Sequence, residues 1–140
     1  MPEFIMPLGD THATHRAFDA LPEFTRGYIE ALFFTNATDP EDELYEKTFE
    51  DLAPETLAAI QSDCDRFAKA LERELDLATE LNEYEPVQAG RDLWFTRCGH
   101  GVGFDDRELG HIGLILATVA RRMGERSPYV GDDGLIYMST

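Results

Sequence analysis

The residues best suited to chemistry lie in one short stretch, WFTRCGHGVGFDDR, which spans residues 94–107. It sets His100 between two glycines and places an arginine on each side, Arg97 and Arg107. A histidine can serve as a general base near neutral pH, and arginines bind anions through paired N–H donors. Backbone N–H groups of a glycine-rich turn can also hold a phosphate. The stretch is therefore a candidate pocket for a small molecule or a nucleotide, with Trp94, Arg97, His100, Asp106 and Arg107 as its binding residues.

A structural interpretation of the same stretch is simpler, and we favour it. The glycines would form a tight turn, and Trp94 and Phe104 would fill the core. An arginine would pair with Asp105 or Asp106. Short motifs of this kind often occur by chance, and the chain contains no G-x-S-x-G, Walker, H-E-x-x-H or G-x-G-x-x-G motif. We therefore predict no catalytic residues, no metal ligands and no cofactor.

The second chemical feature is negative charge. The chain of 140 residues carries 28 Asp and Glu against 12 Lys and Arg, a formal net charge of −16. Residues 1–90 contribute −15 of this and residues 91–140 only −1. The densest run, DPEDELYEKTFEDLAPE at 39–55, has eight acids opposed only by Lys47. Such a surface repels nucleic acid and anionic lipid, so neither is a predicted partner.

Three explanations for the acidity compete. It could reflect the composition of the host genome, since there are 10 Arg and only 2 Lys. It could also be a solvated face that keeps the protein soluble. The third explanation is a surface that binds a basic protein, because clustered carboxylates can imitate DNA, which carries one charge per about 1.7 Å of axis. The candidate partner-binding residues are Glu41, Asp42, Glu43, Glu46, Glu50, Asp51, Glu72 and Asp76.

Two amphipathic helices are predicted to position these residues. Apolar residues recur at helical spacing over 22–35, after a proline that suits a helix start. The strongest period covers 54–82, where Leu57, Ile60, Cys64, Phe67, Leu71, Leu75, Ala78 and Leu81 form one apolar stripe. Cys64 is thereby predicted to be a buried, unreactive thiol.

From residue 92 onwards, the sequence predicts strands as well as a helix. Aromatic and β-branched residues around the glycines predict strands at 92–98 and 102–104. A third helix is predicted at roughly 106–123, and a hairpin follows with strands at 128–130 and 135–138 around a turn at 131–134. Residues 1–15 are predicted to be a flexible arm and residues 39–53 an acidic loop. Together these elements predict a single α+β domain in which two to three helices pack on a small antiparallel β-sheet.

Four segments give the chain a family resemblance: FTRGYIEALFFT (24–35), DLAPETLAAIQSDCDRF (51–67), AGRDLWFTRCGHGVGFDDRELG (89–110) and YVGDDGLIYM (129–138). They resemble a widespread family of small uncharacterised proteins encoded by bacteriophages and prophages. The family segment usually reads G-H-D-F-W-L-T-R-N-G-H-G-A-G-F-W-D-R, which this chain departs from at Arg91, Cys98 and Asp105, among other positions. The resemblance implies a phage origin and no particular reaction.

A phage origin favours one class of function. Small acidic phage proteins without catalytic motifs are often inhibitors of host defence, of the anti-CRISPR or anti-restriction type. We therefore expect a non-enzymatic interaction protein in the host cytoplasm that binds a basic nucleic-acid-binding protein or defence complex. A small-molecule or nucleotide binder and a phage structural or housekeeping protein with merely compositional acidity are the alternatives.

Overall fold

The computed structural model describes residues 6–9, 11–99 and 102–139, and helices account for most of them. The α-helices of this part are α1 (His12–Asp19), α2 (Glu23–Asn36), α3 (Pro54–Ala70), α4 (Glu72–Asn82), α5 (Pro86–Arg97) and α6 (His111–Arg122). Two short 3-10 helices span Phe49–Asp51 and Phe104–Asp106. Strands β1 (Ser127–Val130) and β2 (Ile136–Ser139) pair antiparallel. The prediction of two to three helices on a sheet is wrong: six helices and one small hairpin form the described part.

The centre of the fold is the pair α2 and α5, which make the most extensive contact between any two elements. Their backbones touch where two glycines cross: a Cβ on Gly27 would lie 2.0 Å from the carbonyl oxygen of Val87, and one on Gly90 would lie 1.8 Å from that of Phe24. Only residues without a side chain allow this approach. The helix predicted at 22–35 is confirmed as α2.

The strands predicted at 92–98 and 102–104 are not formed. Residues 92–97 belong to α5, whose side chains are buried from Gln88 to Arg97 except for the half-buried Arg91. A helix that is buried all round shows no amphipathic period, so its aromatic residues imitate a buried strand. Residues 104–106 form a 3-10 turn instead, which stacks Phe104 against Phe67 of α3 at a centroid distance of 5.7 Å.

The long helix predicted at 54–82 is divided at Leu71. There the backbone leaves helical geometry (φ −114°, ψ 25°), so that α3 ends at Ala70 and α4 begins at Glu72. Most of the predicted apolar stripe is buried, but Leu81 is 71% exposed. A cleft lies beside α4, lined also by residues of α3 and the start of α5.

The hairpin and α6 complete the fold. The predicted strands at 128–130 and 135–138 correspond to β1 and β2, and the turn between them closes through Gly131 N–H donating to the Leu135 carbonyl at 2.8 Å. The helix predicted at 106–123 starts only at His111, because the 3-10 turn precedes it. No described helix is both long and apolar enough to cross a membrane.

The described part of the N-terminal region contains a helix, α1, that the sequence did not predict. Residues 12–15 of the predicted flexible arm form the start of α1, and Thr11 caps this helix by accepting the Thr14 N–H at 3.1 Å. Phe18 of α1 packs edge-on against Phe49 of the acidic loop at 5.2 Å between ring centroids. This contact fixes the loop to the core.

Candidate functional site

Arg97, a predicted anion ligand, lies in the last turn of α5 and joins four helices. Its Nε donates to the Gly124 carbonyl at 2.6 Å and one terminal nitrogen to the Met123 carbonyl at 3.1 Å, which holds the C-terminal end of α6. The other terminal nitrogen donates to Asp63 Oδ2 at 2.7 Å and to the Tyr28 hydroxyl at 3.2 Å. The side chain is 1% exposed. Because all three nitrogens are bonded and buried, this arginine holds the fold together.

Asp63 of α3, which the sequence did not single out, is the anion that balances Arg97. Its carboxylate also accepts hydrogen bonds from Arg66 at 2.8 Å and from Arg126 at 3.4 Å. Burial opposes ionisation of this carboxyl, but the hydrogen bonds from Arg97 and Arg66 and the charges of Arg97 and Arg126 outweigh it and lower its pKa. Three cations on one carboxylate make this a structural ion network.

Arg107, the second predicted anion ligand, is paired in the same way. Its Nε and one terminal nitrogen both donate at 3.0 Å to Asp92, whose side chain is 0% exposed. Tyr84 and Gln88 donate to the same carboxylate at 2.5 and 3.0 Å. Burial and the neighbouring carboxylate strongly raise the pKa of Tyr84, so its hydroxyl stays a donor. Gln88 and Asp92 are four residues apart, a spacing that places two side chains on the same face of a helix. This spacing would have indicated the network if residues 86–97 had been predicted to be helical.

The described residues of the predicted pocket lie in different surroundings, and Arg107 borders a depression beside Tyr84 and Gln88. Trp94 is buried and donates its indole N–H to Thr35 Oγ1 at 2.8 Å, as the structural interpretation expects for a core residue. Asp106 is exposed, and Asp105 pairs with Arg121 of α6. His100 lies outside the described residues.

The cysteines are both shielded from solvent. Cys64 is buried, as predicted, and burial raises the pKa of its thiol. Burial also raises the pKa of the half-buried Cys98 to about 11. Both thiols are therefore protonated at neutral pH, which disfavours nucleophilic chemistry. Within residues 6–9, 11–99 and 102–139, no group of three or more His, Cys, Asp and Glu side chains is placed to hold a metal ion.

The acidic loop lies against the hairpin turn, a contact that joins two acidic segments far apart in sequence. Lys47 Nζ donates to the Gly134 carbonyl at 2.8 Å, and Glu43 Oε1 accepts the Val130 N–H at 3.1 Å. The turn carries Asp132 and Asp133, both exposed. We call residues 39–51 together with 131–134 the loop–hairpin surface.

The carboxylates of the loop divide into two groups. Asp42 accepts the Asp39 N–H at 3.0 Å, and Asp51 accepts the Thr48 N–H at 2.8 Å. Together with Glu43, they each use one carboxylate oxygen to hold the backbone. The remaining predicted contacts of the loop are exposed, and their side chains make no hydrogen bond or ion pair with another described residue: Glu41, Glu46 and Glu50.

The other two predicted contacts lie elsewhere. The loop leads into the N-terminal end of α3, whereas Glu72 and Asp76 follow its C-terminal end on α4. A helix of 17 residues is about 25 Å long. The eight predicted residues thus form two separate acidic regions.

Most arginines form ion pairs within the fold. Of the 10 arginines in the chain, these pair with carboxylates of the described residues: Arg26, Arg66, Arg91, Arg97, Arg107, Arg121 and Arg126. They share only five acidic partners, because three of them converge on Asp63. The carboxylates outside these pairs consequently face little opposing charge.

Comparison with known proteins adds no family assignment. No family model matches the chain, and neither the curated proteins nor the solved structures include a significantly similar one. The resemblance to phage proteins therefore stays a prediction from the quoted segments.

Proposed function

We propose that this protein is an acidic interaction protein that binds a basic, nucleic-acid-binding protein through the loop–hairpin surface. The observation that carries the proposal is the joining of the loop to the hairpin turn through Lys47 and Glu43. This contact brings the turn that carries the exposed Asp132 against the loop, and Lys47, the one lysine of the run, donates to a carbonyl oxygen there.

The physical basis is charge density held on a fixed scaffold. Backbone hydrogen bonds to Asp42, Glu43 and Asp51 order the loop, so little conformational entropy is lost when a partner binds. Clustered carboxylates steer a positively charged partner towards them and compete with the phosphates that it normally contacts.

Exposed tyrosines lie within and beside the loop–hairpin surface. Tyr45 lies in the loop, between the two residues that tie it to the hairpin. On the hairpin, Tyr129 is exposed and stacks with Tyr137 at 6.0 Å between ring centroids. Tyrosine rings attract guanidinium groups and are enriched in protein interfaces. We therefore infer an arginine-rich partner surface.

The resemblance to phage proteins extends this proposal to a biological role. An acidic phage protein that occupies a nucleic-acid channel would inhibit a host restriction or CRISPR complex in the host cytoplasm. The partner would be one that must bind DNA or RNA to act.

The test compares two variants that remove the same number of charges. The surface variant carries Glu41→Gln, Glu46→Gln, Glu50→Gln and Asp132→Asn. The control variant carries Glu83→Gln, Glu85→Gln, Glu108→Gln and Glu125→Gln, all exposed and outside residues 39–51 and 131–134. The parent chain is immobilised on a support and exposed to a bacterial lysate, and the captured proteins are identified. The affinity of each captured protein is then measured for the parent chain and for both variants.

We expect the surface variant to bind the captured protein about 100-fold more weakly than the parent. The control variant should stay within about threefold, because it removes equal net charge from other places. Both should melt within a few degrees of the parent, and double-stranded DNA or RNA should displace the parent chain. Equal losses for both variants, or simultaneous binding of nucleic acid and the chain, would contradict the proposal.

A further inference from the structure

A cleft beside α4 is an apolar depression that the proposed function does not use. It has a volume of about 490 Å³ and lies between α4, the last turns of α3 and the start of α5. Its apolar lining comes from four elements or their flanks: Phe24, Ala68, Leu75, Tyr84, Pro86 and Ala89. This volume and lining suit one or two large apolar side chains of a ligand.

A row of carboxylates borders the cleft along α4. Glu72 and Asp76 line the cleft and also a second depression of about 400 Å³, which continues to Glu80. The two depressions share Glu72 and Asp76 at their borders, and we call them together the α4 groove. Asp65 adds a carboxylate on the α3 side, and Lys69 and Arg73 are the cations that line the groove.

The spacing of the row matches the charge repeat of a basic helix. Glu72, Asp76 and Glu80 follow one another every four residues on a helix, which places them about 6 Å apart along its axis. A second helix with lysine or arginine at every fourth position has the same 6 Å repeat, so that all three ion pairs can form together. An apolar side chain on the adjoining face of that helix would then enter the cleft.

We propose that the α4 groove docks a basic amphipathic helix of a partner protein, with its cations along Glu72, Asp76 and Glu80 and an apolar side chain in the cleft. The inference rests on the proposed function in one respect, which is that the partner protein is positively charged. It concerns a different surface, at the other end of α3 from the loop.

The experiment uses a synthetic helical peptide as the probe. It has 18 residues of Leu, Lys and Ala, with lysine at every fourth position and leucine along the adjoining face. The matched control peptide is a scramble of the same composition, and a third peptide replaces the central leucine with serine. Affinities for the full chain are measured by fluorescence anisotropy at physiological salt.

We expect the probe to bind at least about tenfold more tightly than the scramble or the serine peptide, since only the probe combines the repeat with the apolar anchor. The double variant Glu72→Gln, Asp76→Asn should lose about tenfold in affinity for the probe. The matched variant Glu41→Gln, Glu46→Gln removes equal charge from the loop–hairpin surface and should change it less than about twofold.

Each other outcome overturns the inference. Similar affinities for probe and scramble mean that only net charge attracts the peptide. Similar losses in the two double variants mean that the α4 groove is not the docking site. Neither result affects the proposed function, which is judged on the lysate partner and the loop–hairpin variant.

Discussion

Replacement of Asp63 by asparagine is expected to lower the free energy of unfolding by about 3 kcal/mol at pH 7, with most of the loss due to the buried Arg97 charge left without its anion. The variant keeps the size of the side chain and one hydrogen-bond acceptor but removes the charge that three arginines share. The ends of α5 and α6 should loosen together, because Arg97 also holds the carbonyls of Met123 and Gly124.

The same ion network predicts a pH dependence. The pKa of Asp63 is lowered in the folded state, so its stabilisation is complete above the pKa in the unfolded chain and is lost as pH falls through the folded value. The difference in stability between parent and Asp63→Asn should therefore shrink at pH values below about 4.

Urea denaturation at pH 7 and pH 3 measures both effects. Asp65→Asn is the matched control, since Asp65 is exposed and belongs to the same helix. It should change the free energy of unfolding by less than about 0.5 kcal/mol. A loss at Asp63 no greater than at Asp65 would show that Arg97 does not depend on its ion pair.

The second large effect is expected where α2 crosses α5. Gly90→Ala should destabilise the protein by about 3 kcal/mol or more, because the added methyl group would meet the Phe24 carbonyl at 1.8 Å. The obstacle is backbone, so it can be relieved only by moving the two helices apart. In an exposed helix the same change stabilises the protein by about 1 kcal/mol. A loss of stability in Gly90→Ala would therefore indicate the close crossing of α2 and α5.

Gly113→Ala in α6 is the control for this prediction. Its added methyl group would lie 3.2 Å from the nearest atoms, which a shift of a few tenths of an ångström accommodates. Its thermal midpoint should stay within a few degrees of the parent value, whereas that of Gly90→Ala should fall by at least about 10 °C. A Gly90→Ala protein as stable as the Gly113→Ala protein would refute the close crossing.

For the candidate site, sequence motifs drew attention to two arginines but not to the carboxylates that pair with them. The sequence predicted Arg97 and Arg107 as candidate anion ligands, and in the structure both belong to ion networks within the fold. It offered no means to find their partners, because Asp63 is 34 residues from Arg97 and lies on another helix. An arginine beside glycines therefore suggested an anion site where the structure has an internal ion pair.

By itself, the sequence determined the elements that are amphipathic or that end in strong local signals. Helix α2, the start of α3 at Pro54 and the hairpin around 131–134 were predicted to within a few residues, because their apolar period, proline and glycine positions act locally. The burial of Cys64 follows from the same period.

Only the tertiary structure decided the identity of α5 and the arrangement of the acidic residues. Residues 86–97 form a helix whose glycine face packs on α2. Because nearly all of its side chains from Gln88 to Arg97 are buried, its sequence shows no amphipathic period. The loop and the turn at 131–134 meet through Lys47 and Glu43, two contacts that span 87 residues each. Local sequence patterns carry no information about pairing at that separation, so the shape of the acidic surface emerges only when the chain folds.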